Sequence, residues 1–553
     1  MDPVIIAGAG PVGLALALCL ARHDVPSIVL DEHDHPPALS PERTAVLSPE
    51  TAGLLVRLGH RRLYESGATW DAWRTLRRRQ ETVRVEFGDP ASGGQGPSPL
   101  HIGQERLERG LRGALAEQAL ARIVPGARIE AVEQDERGVS VRTKGANATW
   151  WRGSYLIGCD GPRSTVRKLL GVRFPGRTAV DRHAVAALRV ALPDEGVALL
   201  HREPPGPGAG PEVTARPLPD GVWRLDWLLP ARGEPLTSDE LVSRVRGTLT
   251  AWCGSVPPYE LLGSAEYPVH QRLARRWRAG RVFLAGDAAH LMGALGAQGL
   301  EEGLRDADNL AWKLSLAWHH GASDTLLDSY QAERRGAVGA RLRATDQVLP
   351  LLRTSGVWHT VRRSVLSGSA RRYAELLTDG HLGRGALGAP PVYARSPLAL
   401  PAPRGAGAAA SASSAAAAAP SPLLGSCATP PGGAVVDVPV TALDGSRAHL
   451  YERLGRDLLV VLVAPGTGVW ESRHWLTAGL MPRLAKAVAA LPTRAELLVT
   501  EAYPGSTAHS VLLIRPDGHL VTVMTGCRPT ELYAYADLAR GGPPSAVQDR
   551  VPH

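Results

Sequence analysis

Hydrophobic and polar positions near the N-terminus follow a strand, turn, helix, strand order. The apolar run Val4–Ala7 is typical of a short buried strand in a parallel sheet. After a glycine-rich turn, Leu14, Leu18 and Ala21 recur at steps of four and three residues on one helical face. A second apolar run, "SIVL", ends directly before Asp31. The pattern therefore predicts a parallel β–α–β unit at the start of an α/β domain.

Two later segments carry equally regular patterns. In "GVWRLDWLLP", apolar and polar residues alternate, which places Trp223 and Trp227 on the buried face of a strand and Arg224 on the other face. Further along, apolar residues recur every three or four positions from Leu300 to Trp318. That spacing predicts a helix that begins just after a glycine-rich loop.

The domain organisation follows from length and local composition. A chain of 553 residues is too long for one hydrophobic core, so two to four domains are expected. The segment 396–433 consists mainly of Ala, Ser, Pro and Gly, which cannot build a packed core and predicts a linker. After it, apolar runs such as "DLLVVLVAP" alternate with helical stretches, which predicts a separate small α/β domain over 434–553.

Composition and charge mainly exclude classes of function. The net charge is +8, but the basic residues are scattered and lack interleaved aromatic residues, so nucleic-acid binding is not expected. The 5 cysteines form no C-x-x-C pair, and no histidine spacing suggests a metal site. The N-terminus has no basic segment, and no apolar run is long enough to cross a bilayer. We therefore expect a cytoplasmic protein without a metal.

The glycine-rich turn carries the first chemical signal. Gly8, Gly10 and Gly13 form G-x-G-x-x-G between strand and helix. The first glycine permits a sharp turn, the second lets the backbone approach a pyrophosphate, and the third lets the helix pack on the strand. Asp31 ends the second strand, where a carboxylate can accept hydrogen bonds from a ribose diol. The motif predicts a dinucleotide site but does not distinguish FAD from NAD.

Two more motifs lie at predicted strand ends. "YLIGCDGPRSTVRKLLGV" places Asp160 in a D-G pair, and "GRVFLAGDAAH" places Asp287 in a G-D pair, where an Asp can hold a ribityl hydroxyl. In this order and spacing, the three motifs resemble the single-component (class A) FAD-dependent aromatic hydroxylases. The resemblance covers Pro3 to about Arg335. It is closest to the branch of 3-(3-hydroxyphenyl)propionate hydroxylase and the polyketide-tailoring hydroxylases.

The resemblance implies an α/β fold with three parts. A Rossmann-like FAD-binding domain would be formed by 1–175 and 271–395, with a β-sheet substrate domain inserted at 176–270. Beyond the linker, 434–553 would be a thioredoxin-like α/β domain. Because this domain lacks C-x-x-C, we expect it to serve structure or association and not dithiol chemistry.

The resemblance also implies a set of FAD-binding residues. Arg43 would reach the phosphate or ribityl part of the flavin, and Gln104 would contact the cofactor. Each could equally be a plain surface residue of a helix. The full expected set is Gly8, Gly10, Pro11, Val12, Gly13, Asp31, Glu32, Arg43, Gln104, Asp160, Gly286, Asp287, Gly296, Gln298, Gly299 and Leu300.

The segment "GALGAQGLEEG" is expected to surround the isoalloxazine ring, with the positive end of the following helix near the charge of reduced flavin. Here the chain departs from its relatives: Gly293-Ala294 stands where the family usually has Pro-Pro, and Glu301 where it has Asn. Glu301 is either a helix N-terminal acid or an acid–base catalyst, and both interpretations stay open. Gly299, Leu300 and Glu301 form the expected catalytic set, whereas His290 is expected to be structural.

The resulting expectation is an FAD-dependent monooxygenase that uses NADPH or NADH and O2. Through a flavin C4a-hydroperoxide it would hydroxylate a phenolic or polyketide-type aromatic molecule. Trp223 and Trp227 are either walls of the substrate pocket or core residues. Baeyer–Villiger oxygen insertion, a flavin dehydrogenase or oxidase, and a flavin-binding scaffold remain alternatives, whereas the W-x-W-x-I-P signature of halogenases is missing. We expect a monomer or homodimer whose partner is a small aromatic molecule, with no nucleic acid or membrane.

Overall fold

In the computed structural model, the described residues are 1–36, 40–59, 61–89, 94–205, 210–230, 233–293, 298–321, 323–352, 369–400, 427–467 and 479–542. They belong to two compact units. The first comprises Met1–Ala21, Val25–Ala307 and Val338–Ala389, and the second Arg22–Asp24, Asp308–Ala337 and Pro390–His553. Within the described part of the chain, every helix is too short or too polar to cross a membrane.

The strands of the first unit are β1 (Val4–Ala7), β2 (Ser27–Leu30), β3 (Thr44–Leu47), β4 (Ala72–Arg77), β5 (Gln80–Glu86), β6 (Leu100–Gly103), β7 (Ala121–Val124), β8 (Arg128–Gln134), β9 (Val139–Lys144), β10 (Trp150–Gly153), β11 (Leu156–Gly158), β12 (Gly176–Val190), β13 (Val197–Arg202), β14 (Glu212–Leu218), β15 (Val222–Leu229), β16 (Tyr259–Leu273), β17 (Arg278–Ala279), β18 (Val282–Leu284) and β19 (His290–Leu291). The helices from the N-terminus onward are α1 (Pro11–Arg22), α2 (Pro49–Arg57), α3 (Arg61–Glu65), α4 (Gln104–Ala116), α5 (Thr165–Leu169), α6 (Ser238–Cys253), α7 (Gln298–His320), α8 (Asp324–Tyr330), α9 (Gly336–Leu352), α10 (Ser369–Leu382) and α11 (Gly385–Gly388).

The first sheet of this unit explains why the three sequence motifs meet. It has six strands in the order β17-β18-β11-β1-β2-β7, and β1 pairs in parallel with both β2 and β11. Ile5 and Ile6 are fully buried, as expected of a parallel sheet covered on both faces. The predicted first and second strands are confirmed as β1 and β2. Because parallel strands end at the same edge, Gly8, Asp31 and Asp160 are brought to one end of the sheet.

The second sheet has eight strands in the order β19-β16-β12-β15-β14-β13-β4-β5. Alternation in β15 is confirmed, since Trp223 and Trp227 are buried with residues of α6 while Arg224 lies on the opposite face. The hairpin β4–β5 was expected within the FAD-binding domain, yet it extends this sheet through a parallel pairing of β4 with β13. This pairing joins residues more than a hundred positions apart, so no local pattern could reveal it.

The second unit contains a mixed six-stranded sheet in the order β21-β20-β23-β22-β24-β25, in which only β22 and β23 pair in parallel. Its elements are β20 (Pro439–Ala442), β21 (Arg447–His449), α12 (Leu450–Arg453), β22 (Leu458–Val463), α13 (Met481–Ala489), β23 (Ala495–Thr500), β24 (Ser510–Ile514), β25 (Leu520–Thr525) and α14 (Pro529–Ala539). Successive residues of β22 enter separate apolar clusters on the two faces, so the sheet is buried on both sides.

A buried ionic cluster also belongs to the second unit. Glu333 lies in a single π-helical turn, and its carboxylate accepts hydrogen bonds from Lys313 Nζ (2.7 Å) and Arg515 Nη1 (2.7 Å). Burial lowers the pKa of Lys313 to about 8, while the charge of Glu333 opposes that shift. The carboxylate of Glu333 thus has two cationic partners, and an unpaired charge in this buried position would be costly.

Candidate cofactor and substrate site

A cavity of about 870 Å³ lies in the first unit, at the carboxyl ends of the parallel strands. This volume is near the upper end of the ~300–1,000 Å³ typical of small-molecule sites, and the position is where open α/β sheets bind ligands. Of the residues predicted to bind FAD, those that line it are Gly8, Gly10, Pro11, Val12, Asp31, Glu32, Arg43, Gln104, Asp160, Asp287, Gly299 and Leu300.

The glycine-rich turn has the shape that a pyrophosphate requires. A Cβ at Gly8 would lie 2.6 Å from the Cys159 carbonyl oxygen, and one at Gly13 would lie 2.1 Å from the Gly8 oxygen, so both positions need glycine. At Gly10, by contrast, a Cβ would meet no atom within 4 Å. The turn therefore packs tightly against the sheet while leaving open space in front of the N-terminus of α1, whose amides favour an anion.

Asp31 and Glu32 are two neighbouring carboxylates just after β2, and they make different contacts. Asp31 Oδ2 accepts a hydrogen bond from the Ala9 backbone N–H (2.6 Å), and its Oδ1 accepts one from the His33 N–H (2.9 Å). Glu32 is exposed at the cavity and lies 3.6 Å from the guanidinium of Arg128. Asp31 therefore stabilises the glycine turn, whereas Glu32 has an oxygen available for a ribose diol.

Helix α4 supplies a side of the cavity. The Gln104 N–H donates to the Arg43 carbonyl oxygen (2.9 Å), and the Gln104 side-chain amide donates to Glu108 (2.8 Å). Arg112, which the sequence analysis did not identify, lines the cavity and donates to the Ala9 carbonyl oxygen (2.8 Å). Gln104, Glu108 and Arg112 recur every four residues, so helical spacing from Gln104 could have revealed them.

The aspartates of the two later motifs have different roles. Asp160 accepts hydrogen bonds from the Ser164 hydroxyl (2.5 Å) and the Val166 N–H (2.9 Å), which fixes the start of α5. The Asp287 carboxyl projects into the cavity from a 3-10 turn, and the surrounding protein raises its pKa by desolvation. Asp287 is therefore the motif carboxyl that a ligand hydroxyl can reach.

The turn that presents Asp287 is held by a buried pair. Asp306 Oδ2 accepts a hydrogen bond from the Gly286 N–H (2.9 Å) and lies 2.8 Å from Nε2 of His290. The ring of His290 stacks on Trp277 with centroids 5.2 Å apart. His290 is therefore structural, as expected. Gly286 positions its neighbour and is not itself part of the cavity wall.

The catalytic expectation for Glu301 requires a correction. Its carboxylate accepts hydrogen bonds from the Ser48 hydroxyl (2.7 Å) and the Thr51 hydroxyl (2.7 Å), and it forms an ion pair with Arg305 (2.7 Å). Glu301 is only 5% exposed and does not line the cavity. The side chain stabilises the N-terminus of α2 and has no oxygen left for a substrate.

The neighbouring residues are placed differently. Gly299 and Leu300 do line the cavity, at the first turn of α7. Gln298 begins that helix, but its side chain lies outside the described residues, as does the whole of Gly296.

The expected substrate role of Trp223 and Trp227 is also corrected. Both are buried in the core between the eight-stranded sheet and α6, and the Trp227 indole donates to Thr248 Oγ1 (3.0 Å). Because side chains alternate along β15, the face towards the cavity carries Arg224 instead. The sequence analysis therefore selected the right strand, β15, but the face that carries the two tryptophans points away from the cavity.

The cavity wall formed by this sheet contains residues that the sequence did not reveal. Arg224, Tyr267 and Val185 line it from three neighbouring strands, together with Glu42 from the segment before β3. Desolvation raises the pKa of Tyr267 to about 12, with a further contribution from Asp226. Tyr267 therefore remains a neutral hydroxyl at physiological pH.

Fold and cavity define a dinucleotide-binding α/β protein whose site is closed on another side by a mainly antiparallel sheet. Comparison with known proteins gives the family: the FAD binding domain family matches residues 1–345. The chain belongs to the FAD-binding aromatic hydroxylases of class A.

Individual relatives agree with this assignment. The 12-dehydrotetracycline 5-monooxygenase/anhydrotetracycline 6-monooxygenase of Streptomyces rimosus subsp. rimosus is 30% identical over 546 residues, covering 94% of each chain. The 3-(3-hydroxy-phenyl)propionate/3-hydroxycinnamic acid hydroxylase of Mycobacterium sp. (strain JLS) is 32% identical over 339 residues, covering 60% of this chain and 57% of that relative. The match thus spans little more than half of the second relative. The structure of the OxyS anhydrotetracycline hydroxylase from Streptomyces rimosus has a TM-score of 0.65 at 27% identity, with 98% of this chain and 100% of that chain covered.

Proposed function

We propose that this protein is an FAD-dependent monooxygenase that takes electrons from NADPH or NADH and hydroxylates a phenolic or polyketide-type aromatic molecule. One observation carries the proposal: a single cavity extends from the glycine turn at Gly10, past Asp287 and Leu300, to the sheet face at Val185. A dinucleotide and a second, planar molecule can share such a cavity.

The residues present fit FAD. The open space at Gly10 and the N-terminus of α1 suit the pyrophosphate, Glu32 suits the ribose, and Asp287 suits a ribityl hydroxyl. Gly293 and Gly299, which line the cavity, would let backbone lie close to the ring because neither carries a Cβ. When bound and reduced, FAD supplies the activation of O2 that allows one oxygen atom to be transferred.

The remaining chemistry belongs to side chains on the opposite wall. Arg224 offers a positive charge to a carbonyl oxygen of the substrate, and Val185 and Ala265 provide an apolar surface for the ring. The side chains of this wall therefore position the substrate.

The nature of the relatives supports a polyketide-type substrate. One relative that matches over nearly the full chain is named as a monooxygenase of 12-dehydrotetracycline and anhydrotetracycline. We also propose that the sheet of the second unit is thioredoxin-like and serves structure or association. The domain boundaries at 175, 270 and 395 belong to the same proposal, whereas residues 401–426 of the linker lie outside the described part of the chain.

The test is isotope incorporation. Purified holoenzyme would be supplied with NADPH, ¹⁸O2 and a panel of hydroxynaphthyl and hydroxyanthracenyl ketones, and products would be examined by mass spectrometry. One ¹⁸O atom in a ring hydroxyl supports the proposal, whereas an ester with the labelled oxygen inserted beside the carbonyl carbon would indicate Baeyer–Villiger insertion. Unlabelled oxidised product would identify a dehydrogenase and contradict the proposal.

A further inference from the structure

The face of the eight-stranded sheet towards the cavity has a flat, apolar floor. Arg224 of β15 pairs with Ala187 of β12, which pairs in turn with Gly263 of β16. In a neighbouring row, Val185 pairs with Ala265, and both line the cavity. Directly paired residues share one face of a sheet, so the small apolar side chains of Val185 and Ala265 leave room for a planar ring.

Arg224 lies at one edge of this floor in a fixed orientation. Its Nε donates to the Glu42 carbonyl oxygen (2.9 Å), and its Nη2 contacts Asp226 Oδ2 (3.1 Å) and the Tyr267 hydroxyl (3.3 Å). Among the residues that the structure describes, no acceptor engages Nη1. Burial alone would lower the pKa of Arg224, but Asp226 and Tyr267 raise it overall, so the guanidinium is charged.

Glu42 provides the complementary group. It is only 3% exposed and lines the cavity, yet Oε2 is enclosed without a hydrogen-bond partner. A Cβ on Gly263 would lie 2.6 Å from Oε2, so the glycine makes room for the carboxyl group. Within the described residues, no cation lies within ion-pair distance of this carboxyl. A buried carboxyl group without a partner is costly, and a ligand hydroxyl that binds this carboxyl from the cavity, on the side away from Gly263, would offset that cost.

We propose that Glu42 and Arg224 form a specificity-determining pair for an aromatic substrate that carries a hydroxyl group and a ketone too far apart on the ring system to hydrogen-bond to each other. The hydroxyl donates a hydrogen bond to the Glu42 carboxyl, and the ketone oxygen accepts one from Nη1 of Arg224. The ring lies on the floor formed by Val185 and Ala265. The pair thus distinguishes hydroxy ketones from ethers and from phenols without a carbonyl group.

This inference rests on the proposed function only for the location of the aromatic ring, so its test uses binding without turnover. Titration of FAD-loaded protein with 1-hydroxy-4-acetylnaphthalene, whose two groups cannot hydrogen-bond to each other, and with its 1-methoxy ether, followed by flavin absorbance, gives two dissociation constants. We expect the hydroxy ketone to bind at least about tenfold more tightly, as for a hydrogen bond to a charged group. Wild-type protein that binds both equally, or neither, would overturn the inference.

The variant Glu42→Gln tests the residue directly. Because the amide is a weaker acceptor and its NH2 can donate to an ether oxygen, most of the preference for the hydroxy ketone should be lost. Glu260→Gln, an exposed position on the same strand as Gly263, should retain the preference. Flavin content and thermal stability establish that each variant is folded. An unchanged preference in folded Glu42→Gln contradicts the assignment of Glu42.

Arg224→Lys tests the other partner. Lysine retains the positive charge but lacks the planar set of N–H donors of a guanidinium. Both ketones should therefore bind several-fold more weakly, while the preference for the hydroxy ketone over its ether persists. The outcomes separate this inference from the proposed function. A protein that prefers the hydroxy ketone but incorporates no oxygen defeats only the proposed function. An active monooxygenase without the preference defeats only this inference.

Discussion

Asp287 is the side chain on which retention of the cofactor depends most directly. Its carboxyl projects into the cavity, and desolvation raises its pKa. We predict that Asp287→Ala weakens FAD binding at least about tenfold, because a hydrogen bond to a ribityl hydroxyl is lost. The ratio of flavin to protein absorbance after dialysis measures this. Asp239→Ala, at an exposed position on α6, is the control, and full flavin content in Asp287→Ala would refute the assignment.

Glu301 illustrates a residue whose role changes once its contacts are known. We predict that Glu301→Gln leaves the pH dependence of the rate unchanged but lowers the free energy of unfolding by about 1–3 kcal/mol, since charged hydrogen bonds to Ser48 and Thr51 are weakened. Urea unfolding and pH–rate profiles measure the two effects. A double-mutant cycle with Thr51→Ala should show coupling. A displaced pH profile without loss of stability would restore a catalytic role.

Residue roles could be predicted where a motif dictates backbone geometry, and less well where partners are remote. Gly13 is required by a contact with Gly8 inside the motif, and Gly8 by its positive φ and its close approach to Cys159, so the spacing of the motif sufficed for both. Glu42 and Arg224 meet through a hydrogen bond between residues 182 positions apart, and neither belongs to a recognisable pattern. The sequence could not indicate that Asp31 accepts hydrogen bonds from the backbone N–H groups of Ala9 and His33, or that Glu32 lies 3.6 Å from the guanidinium of Arg128.

At the level of elements, β6 connects two sheets through one buried histidine. His101 Nδ1 donates to the Pro217 carbonyl oxygen (2.8 Å) on β14, which leaves Nε2 to accept from the Thr44 hydroxyl (2.8 Å) on β3. Burial lowers the pKa of His101 to about 3. The ring is therefore neutral in the folded protein and can take up a proton only at markedly acidic pH.

This depressed pKa predicts a pH-dependent stability. The unfolded state binds the proton near pH 6.5 and the folded state only near pH 3, so the contribution is complete above about pH 6.5 and declines as pH falls. The slope attributable to His101 approaches 1.4 kcal/mol per pH unit. Urea unfolding between these pH values should show a shallower dependence for His101→Gln than for exposed His35→Gln. Parallel curves for the two variants would contradict the assignment.

Elements were predictable when their periodicity was local. The strands β1, β2 and β15 and the helix α7 follow directly from apolar spacing. The hairpin β4–β5 joins the second sheet by pairing with β13, which depends on the path of the whole chain. Alternation in β15 indicated its two faces correctly but could not tell which face the cavity would occupy.

At the scale of the whole molecule, each of the two compact units is built from several separate segments of the chain. Residues 308–337 belong to the second unit although the sequence places them within the FAD-binding part. Glu333 in this segment forms ion pairs with Arg515, and neither residue has a sequence signature that indicates such a partner. The family resemblance indicated the α/β architecture, whereas the contacts that group residues 308–337 with the second unit join residues far apart in the sequence.

The central claim is that the cavity holds an FAD that serves oxygen transfer to an aromatic molecule. The most direct measurement is anaerobic reduction of the bound flavin by NADPH, followed by absorbance, with and without a hydroxynaphthyl ketone, before ¹⁸O2 is admitted. We expect reduction to be much faster with the ketone present, and one labelled oxygen atom in its hydroxylated product. Flavin that stays oxidised under both conditions, or that is reduced without labelling any product, would contradict the account.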